Sequence, residues 1–142
     1  MENKFQNIID NRIALSNLDK YAAIIGSHPS KGARSPLLWN SAFKEHKLNY
    51  SMVPFDVLKE KLPKLLDKLN LDKSFIGGAI TTPHKTDVAK WLGKNVTDEA
   101  YKIGAVNCLF RGKDGNLSGT NTDGEGSVKA LTEQIGEFKN KN

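Results

Sequence analysis

Short apolar runs of strand length alternate along this chain with longer stretches whose apolar residues recur at helical spacing, and that alternation narrows the fold more than any other feature. Tyr21-Ala22-Ala23-Ile24-Ile25 is an apolar run closed by Gly26, the pattern of a buried strand. A polar loop over 27–34 leads to Ser35-Pro36, where the hydroxyl is expected to cap a helix and the proline to take its first position, ahead of Leu37, Leu38 and Phe43. A second strand is predicted over 50–54, then a helix over 57–69 that turns Leu58, Leu62, Leu65, Leu66 and Leu69 inward. The unit repeats with a strand over 75–80, a helix capped by Thr82-Pro83 and running through Trp91, and a strand over 105–110. Lys113-Asp114-Gly115-Asn116 holds the Asp-Gly turn signal of a hairpin, and a last helical stretch covers 128–135. Ahead of these elements, Phe5, Ile8, Ile9, Ile13 and Leu15 predict an amphipathic helix over 5–18, whose spacing leaves open whether it covers a sheet edge or makes a subunit contact. The expected architecture is α/β: a mostly parallel sheet with helices on both faces and ligands at the carboxyl ends of the strands.

At 142 residues, 38% of them hydrophobic, the chain supports one ordinary core without disulfides or structural metal. The single Cys108 cannot form an internal disulfide, which excludes a disulfide-stapled secreted scaffold, and a reducing cytoplasm is expected. The first 20 residues include Glu2, Asp10 and Asp19 and lack a continuous apolar block, so neither a secretory segment nor a membrane span is expected there. The net charge of +5 comes from lysines scattered over predicted helical faces, such as Lys59, Lys61, Lys64, Lys68 and Lys73, without interleaved arginines or stacking aromatics. That pattern reads as solvated surface and not as a nucleic-acid footprint. His28, His46 and His84 are not spaced as metal ligands with the one cysteine.

Three polar clusters fall at predicted strand ends: the loop from Ser30 to Ser35, Thr81-Thr82-Pro83-His84-Lys85, and Asn121-Thr122-Asp123. Lys85 is the most informative, because as the third residue of a predicted helix it puts a cation at the positive end of the macrodipole. Position leaves three readings: a bound anion or hydroxyl, a lysine tuned for proton transfer, or a solvated surface lysine. Asp123 ahead of Gly124 reads as a helix N-cap, Asn107 as an amide satisfying nearby backbone, and Cys108 as a small buried hydrophobe. Trp39 and Trp91 lie on predicted helices as core or contact residues.

Taken in order, Gly26 with Ser35-Pro36-Leu37-Leu38-Trp39-Asn40, Ile80-Thr81-Thr82-Pro83-His84-Lys85, Gly104-Ala105-Val106-Asn107 and Gly119-Thr120-Asn121-Thr122-Asp123-Gly124-Glu125-Gly126 resemble the substrate-binding domain of the shikimate dehydrogenase family. The resemblance runs from about Tyr21 to Val128. It implies an NADP-dependent oxidoreductase that interconverts 3-dehydroshikimate and shikimate in aromatic amino acid biosynthesis. It also carries Lys85 and Asp123 into the catalytic roles, Thr81 and Asn107 into contacts with ring hydroxyls, and Ser35 into the second place of a carboxylate-binding serine pair.

The departures from the family pattern are as specific. Where the family has the first serine of Ser-x-Ser-Pro this chain has Ala33, leaving Ser30, Lys31 or Arg34 to supply the missing contact. Ala79 and Thr120 also depart, and quinate is an alternative ring acid. Gly124-Glu125-Gly126 is the one G-x-G, with Lys129 where a third glycine belongs and no strand–turn–helix unit expected around it, so it reads as a helix entry. The expected division is an N-terminal helical extension over 1–20, the substrate-binding domain over 21–128, and a helix end and linker start over 129–142. On this reading the chain partners a ring-acid substrate and the NADP-binding domain of a parent protein, holds no cofactor and no metal itself, and does not turn over alone. The alternative is a stand-alone polyol-acid binding or regulatory module without catalysis.

Overall fold

A computed structural model describes residues 4–136. In β1 (Lys20–Gly26) the side chains alternate between two cores, Tyr21, Ala23 and Ile25 in one and Ala22 and Ile24 in the other, which is why the strand reads as an unbroken apolar run. With β2 (Tyr50–Asp56), β3 (Phe75–Ile80), β4 (Cys108–Arg111) and β5 (Leu117–Thr120) it forms one sheet in the order β2-β1-β3-β4-β5. Strand β1 runs parallel to β2 and β3, and β4 runs antiparallel to both of its neighbours, so four of the five strands share a direction, as expected. The odd strand belongs to the predicted hairpin, whose turn closes with the Gly112 N–H on the Asn116 carbonyl at 2.8 Å and Gly115 at φ +80°. Strand β4 begins at Cys108; Ala105 to Asn107, expected within it, form the loop before it.

Helices cover both faces. Helix α1 (Ser35–Glu45) packs Phe43 on the smaller core, while α2 (Leu62–Leu71), α3 (Lys85–Leu92) and α4 (Asp98–Ile103) bury Leu62, Leu65, Leu66, Leu69, Val88, Leu92 and Ala100 in the larger one. Helix α5 (Asp123–Ile135) starts ahead of the predicted 128–135 and buries none of its side chains. No helix among the described residues is long and apolar enough to cross a membrane.

The predicted helix over 5–18 is not formed. Its apolar residues instead make a tight turn, with the Ile8 and Ile9 N–H groups on the Phe5 carbonyl at 3.0 and 3.2 Å, and all three side chains enter the larger core. Asn7 and Asn17 at φ +67° and +63° take the left-handed conformation that a continuous helix cannot contain. The segment then lies along the outer edge of β2: the Asp10 N–H reaches the Asp56 carbonyl at 2.8 Å, and the Asn11 amide spans the Pro54 carbonyl (2.9 Å) and the Asp56 N–H (2.8 Å). Asn40 does the same for Met52, accepting from its N–H at 2.6 Å and donating to its carbonyl at 3.1 Å. Two asparagine amides therefore stand in for a neighbouring strand, and Pro54, which has no N–H, occupies the edge strand where none is needed. Residues 137–142, within the expected linker, lie outside the described residues.

Candidate active site

Strands β1, β2, β3 and β5 end, and β4 begins, at one edge of the sheet, so the polar clusters read from the sequence converge there. Backbone hydrogen bonds stitch their loops together. The Thr81 N–H donates to the Ile25 carbonyl at 2.9 Å, Ile80 to Asn107 at 2.8 Å, Asn107 to Thr120 at 3.1 Å and Val106 to Lys85 at 2.9 Å. Gly26 is required here, since a Cβ at that position would sit 2.4 Å from the Thr81 methyl. The buried His84 pins the turn from below by donating its Nε2–H to the Val57 carbonyl at 2.8 Å.

Lys85 is the first residue of α3, not the third. Thr82 and Pro83 lie in the turn ahead of the helix, closed by the His84 N–H on the Thr81 carbonyl at 3.1 Å, and His84 takes the N-cap position. The cation still stands at the helix's positive end, and its compensation is Asp123: Lys85 Nζ donates to Asp123 Oδ2 at 2.6 Å. Asn107 Nδ2 donates to the other carboxylate oxygen at 2.8 Å and to Thr122 Oγ1 at 3.1 Å, while Asn107 Oδ1 accepts the Thr122 N–H at 3.0 Å. The expected N-cap role of Asp123 is not the one observed. Asp123 is the first helical residue of α5, Thr122 holds the cap position without a side-chain cap bond, and the buried Asn121 accepts the Asp123 N–H at 3.0 Å. This leaves the Asp123 carboxylate to Lys85 and Asn107, and hydrogen bonds from those two, Lys85 foremost, hold it below the ordinary carboxylate range.

The other candidates divide. Arg34 and Thr81 line an open cleft of about 360 Å³ between the 27–34 loop and the turn after β3, together with His28, Lys31 and Ala33. Ser30 is not on that wall: its N–H and hydroxyl both donate to the buried carboxylate of Asp56, at 2.9 and 2.5 Å. Ser35 does not cap α1 with its hydroxyl. It is the first helical residue, half-buried behind Arg34, which holds the cap position, and it does not line the cleft. Asp56 escaped the sequence reading, and Thr122 entered it only as a member of the Asn121-Thr122-Asp123 cluster; the one signal for Asp56 was an acid closing a buried strand.

No group of three or more His, Cys, Asp or Glu side chains among the described residues is placed to hold a metal ion. The G-x-G segment does follow a strand and a two-residue turn, contrary to expectation, but Gly124 and Gly126 fall inside α5. The N–H groups of Thr122, Asp123 and Gly126 are taken by Asn107, Asn121 and the Thr122 carbonyl, and neither glycine lies in the turn ahead of the helix, so the segment lacks the glycine-rich turn of a dinucleotide cradle.

Residues 24–109 match the family model described as the shikimate dehydrogenase substrate binding domain. The chain belongs to the shikimate dehydrogenase family. It is 42% identical over 123 residues to the NADP(+) shikimate dehydrogenase of Methanocaldococcus jannaschii, a match covering 87% of this chain and 42% of that relative. A crystal structure of shikimate dehydrogenase in complex with NADP+ superposes with a TM-score of 0.75 at 41% identity, over 87% of this chain and 42% of that one. Shikimate 5-dehydrogenase from Listeria monocytogenes, solved in complex with shikimate and NAD, gives 0.74 at 29% identity, over 92% of this chain and 43% of that one. The chain thus spans well under half the length of the shikimate dehydrogenases it matches.

Proposed function

We propose that this chain is the substrate-binding half of an NADP-dependent shikimate dehydrogenase, with Lys85 and Asp123 as its catalytic pair. The observation that carries the reading is the Lys85–Asp123–Asn107 cluster, assembled at the carboxyl edge of the sheet from the first residues of α3 and α5 and the loop ahead of β4. Reduction of a ring ketone builds negative charge on the carbonyl oxygen, and an ammonium with a fixed carboxylate partner answers it: Lys85 Nζ donates the proton and takes it back in the reverse direction. Asp123 orients Lys85 and accepts from the neighbouring ring hydroxyl, Asn107 holds Asp123 and a second hydroxyl, and Thr81 contacts the ring from the cleft side. Since the described turn of this chain does not fit a dinucleotide, the reading assigns NADP to a partner domain of the parent protein. It also carries a cytoplasmic location, with Cys108 as a free thiol.

The test is calorimetric titration of the 142-residue chain with shikimate, quinate and NADPH separately. Shikimate binding without NADPH binding supports the reading. Preference for quinate moves the assignment to that acid, and failure to bind either overturns it. Turnover in a protein that joins this chain to the cofactor domain separates an enzyme half from a binding module without catalysis.

A further inference from the structure

We propose that Lys31 and Arg34 form a cationic clamp that takes the ligand's carboxylate, in place of the hydroxyl this chain lacks at position 33. The inference rests on the reading of the site given above and names its anion-binding end. Position 33 is alanine, which offers no side-chain donor. The hydroxyl of Ser30 is committed to Asp56 and Ser35 is off the cleft wall, which leaves Ser27, a neutral donor at the start of the loop, as the loop serine that lines the cleft beside the two cations. Lys31 and Arg34 do line it, and the lining contains no acidic side chain.

Their charges are also unspent. Among the described residues Lys4, Lys59, Lys61 and Lys85 are each paired with an aspartate, whereas Lys31 and Arg34 make neither an ion pair nor a side-chain hydrogen bond. Both line the same cleft, so a carboxylate bound there gains from both charges. A guanidinium gives it two parallel hydrogen bonds of fixed geometry, and the ammonium adds a mobile point charge.

The loop that carries the pair is built to hold still. Lys31 ends a short 3-10 turn (Pro29–Lys31) whose closure continues in the Ala33 N–H on the Pro29 carbonyl at 3.0 Å, and Arg34 stands at the head of α1. Between them and the sheet, Asp56 grips Ser30 through both carboxylate oxygens. That carboxylate holds Ser30 and forms no ion pair with Lys31 or Arg34. The consequence is recognition by charge more than by hydroxyl geometry, sensitive to salt and tolerant of other carboxylates.

The experiment titrates the wild-type chain, Arg34→Gln and Lys31→Gln with shikimate, its neutral methyl ester and benzoate, at low salt and at 0.5 M NaCl, with circular dichroism confirming the fold of each variant. The clamp requires that the ester bind at least tenfold more weakly than shikimate. It also requires that Arg34→Gln cost tenfold or more, that Lys31→Gln cost several-fold, and that salt weaken the wild type most. Shikimate binding that is unchanged in both variants overturns the clamp and leaves the site reading intact. Arg34-dependent binding of benzoate without binding of shikimate upholds the clamp and overturns the ring-acid reading. Binding of none of the three at millimolar concentration overturns both.

Discussion

Lys85 and Asp123 lie 38 positions apart in the sequence and 2.6 Å apart in the structure, and the chemistry proposed for this chain depends on that meeting. Because the pair is substantially solvent-exposed, it contributes less to stability than to function, about 1 kcal/mol at most. Lys85→Ala in a protein carrying both halves is therefore expected to lower turnover by about 100-fold or more with a nearly unchanged melting temperature. Steady-state kinetics and a thermal melt check it, and a mutant with normal rate would remove Lys85 from the mechanism. The pH behaviour follows from Asp123. Lys85 and Asn107 bond its ionised form, so its folded pKa lies below the ordinary value of 3.8, and the stabilisation is present above that value and lost only as pH falls through the lower folded one. A carboxyl carbon NMR titration should find Asp123 ionised throughout pH 5–8 with its midpoint below 3.8; a midpoint at or above 3.8 would show that the pair does not form in solution. Lys85 was legible because a cation at a helix start is out of place, whereas Asp123 taken alone looked like an ordinary cap. The capping pattern is the same whichever way the carboxylate turns.

Among the elements, β3 shows most clearly what local pattern leaves out. Tyr21 pairs with Phe75 but Ala22 pairs with Gly77, so one extra residue is inserted, and the faces of the strand exchange between Ile76 and Ile80. The shift is what lets Phe75 and Ile80 share the larger core. It requires the two glycines: at φ +148° a Cβ on Gly78 would sit 1.9 Å from the Ala23 carbonyl oxygen, and one on Gly77 would sit 2.2 Å from that of Leu109. Gly78→Ala is expected to destabilise the fold by about 3 kcal/mol or more, measured by urea unfolding, whereas Gly32, Gly124 and Gly126, where a Cβ meets nothing within 4 Å, tolerate the same change far better. A comparable dependence links β4 to α2. The Arg111 guanidinium donates to the carbonyls of Leu69, Asn70, Asp72, Phe75 and Gly115 at 2.6–3.0 Å, closing the end of α2 against the hairpin. Arg111→Met keeps the stem and leaves those carbonyls without the guanidinium, and a loss of about 2–4 kcal/mol is expected in the same assay. Neither device has a periodic signature, because a bulge and a clamp are defined by what lies across the strand or beyond the helix end.

Over the whole molecule, the N-terminal segment is the piece whose role the tertiary structure reassigns, from a separate helix to an edge cover that also inserts Phe5, Ile8 and Ile9 into the larger core. Deleting residues 1–12 uncovers the β2 edge and empties that part of the core, with each apolar side chain worth about 1.5–3 kcal/mol at most. The shortened chain is expected to melt about 10 °C lower or more and to self-associate by light scattering, whereas a detachable helix would leave both readings unchanged. By itself the sequence determined the alternation of strands and helices, the mostly parallel sheet, the hairpin and the identity of the polar loops at one sheet edge. Those properties follow from residue periodicity and turn chemistry, which act over a few neighbours. Only the tertiary structure decided that Asp123 faces Lys85, that Ser30 is held by Asp56 while Arg34 stands on the cleft, and that residues 4–19 serve an edge. Each of these depends on which distant groups arrive at the same place, and a one-dimensional pattern does not contain that distance.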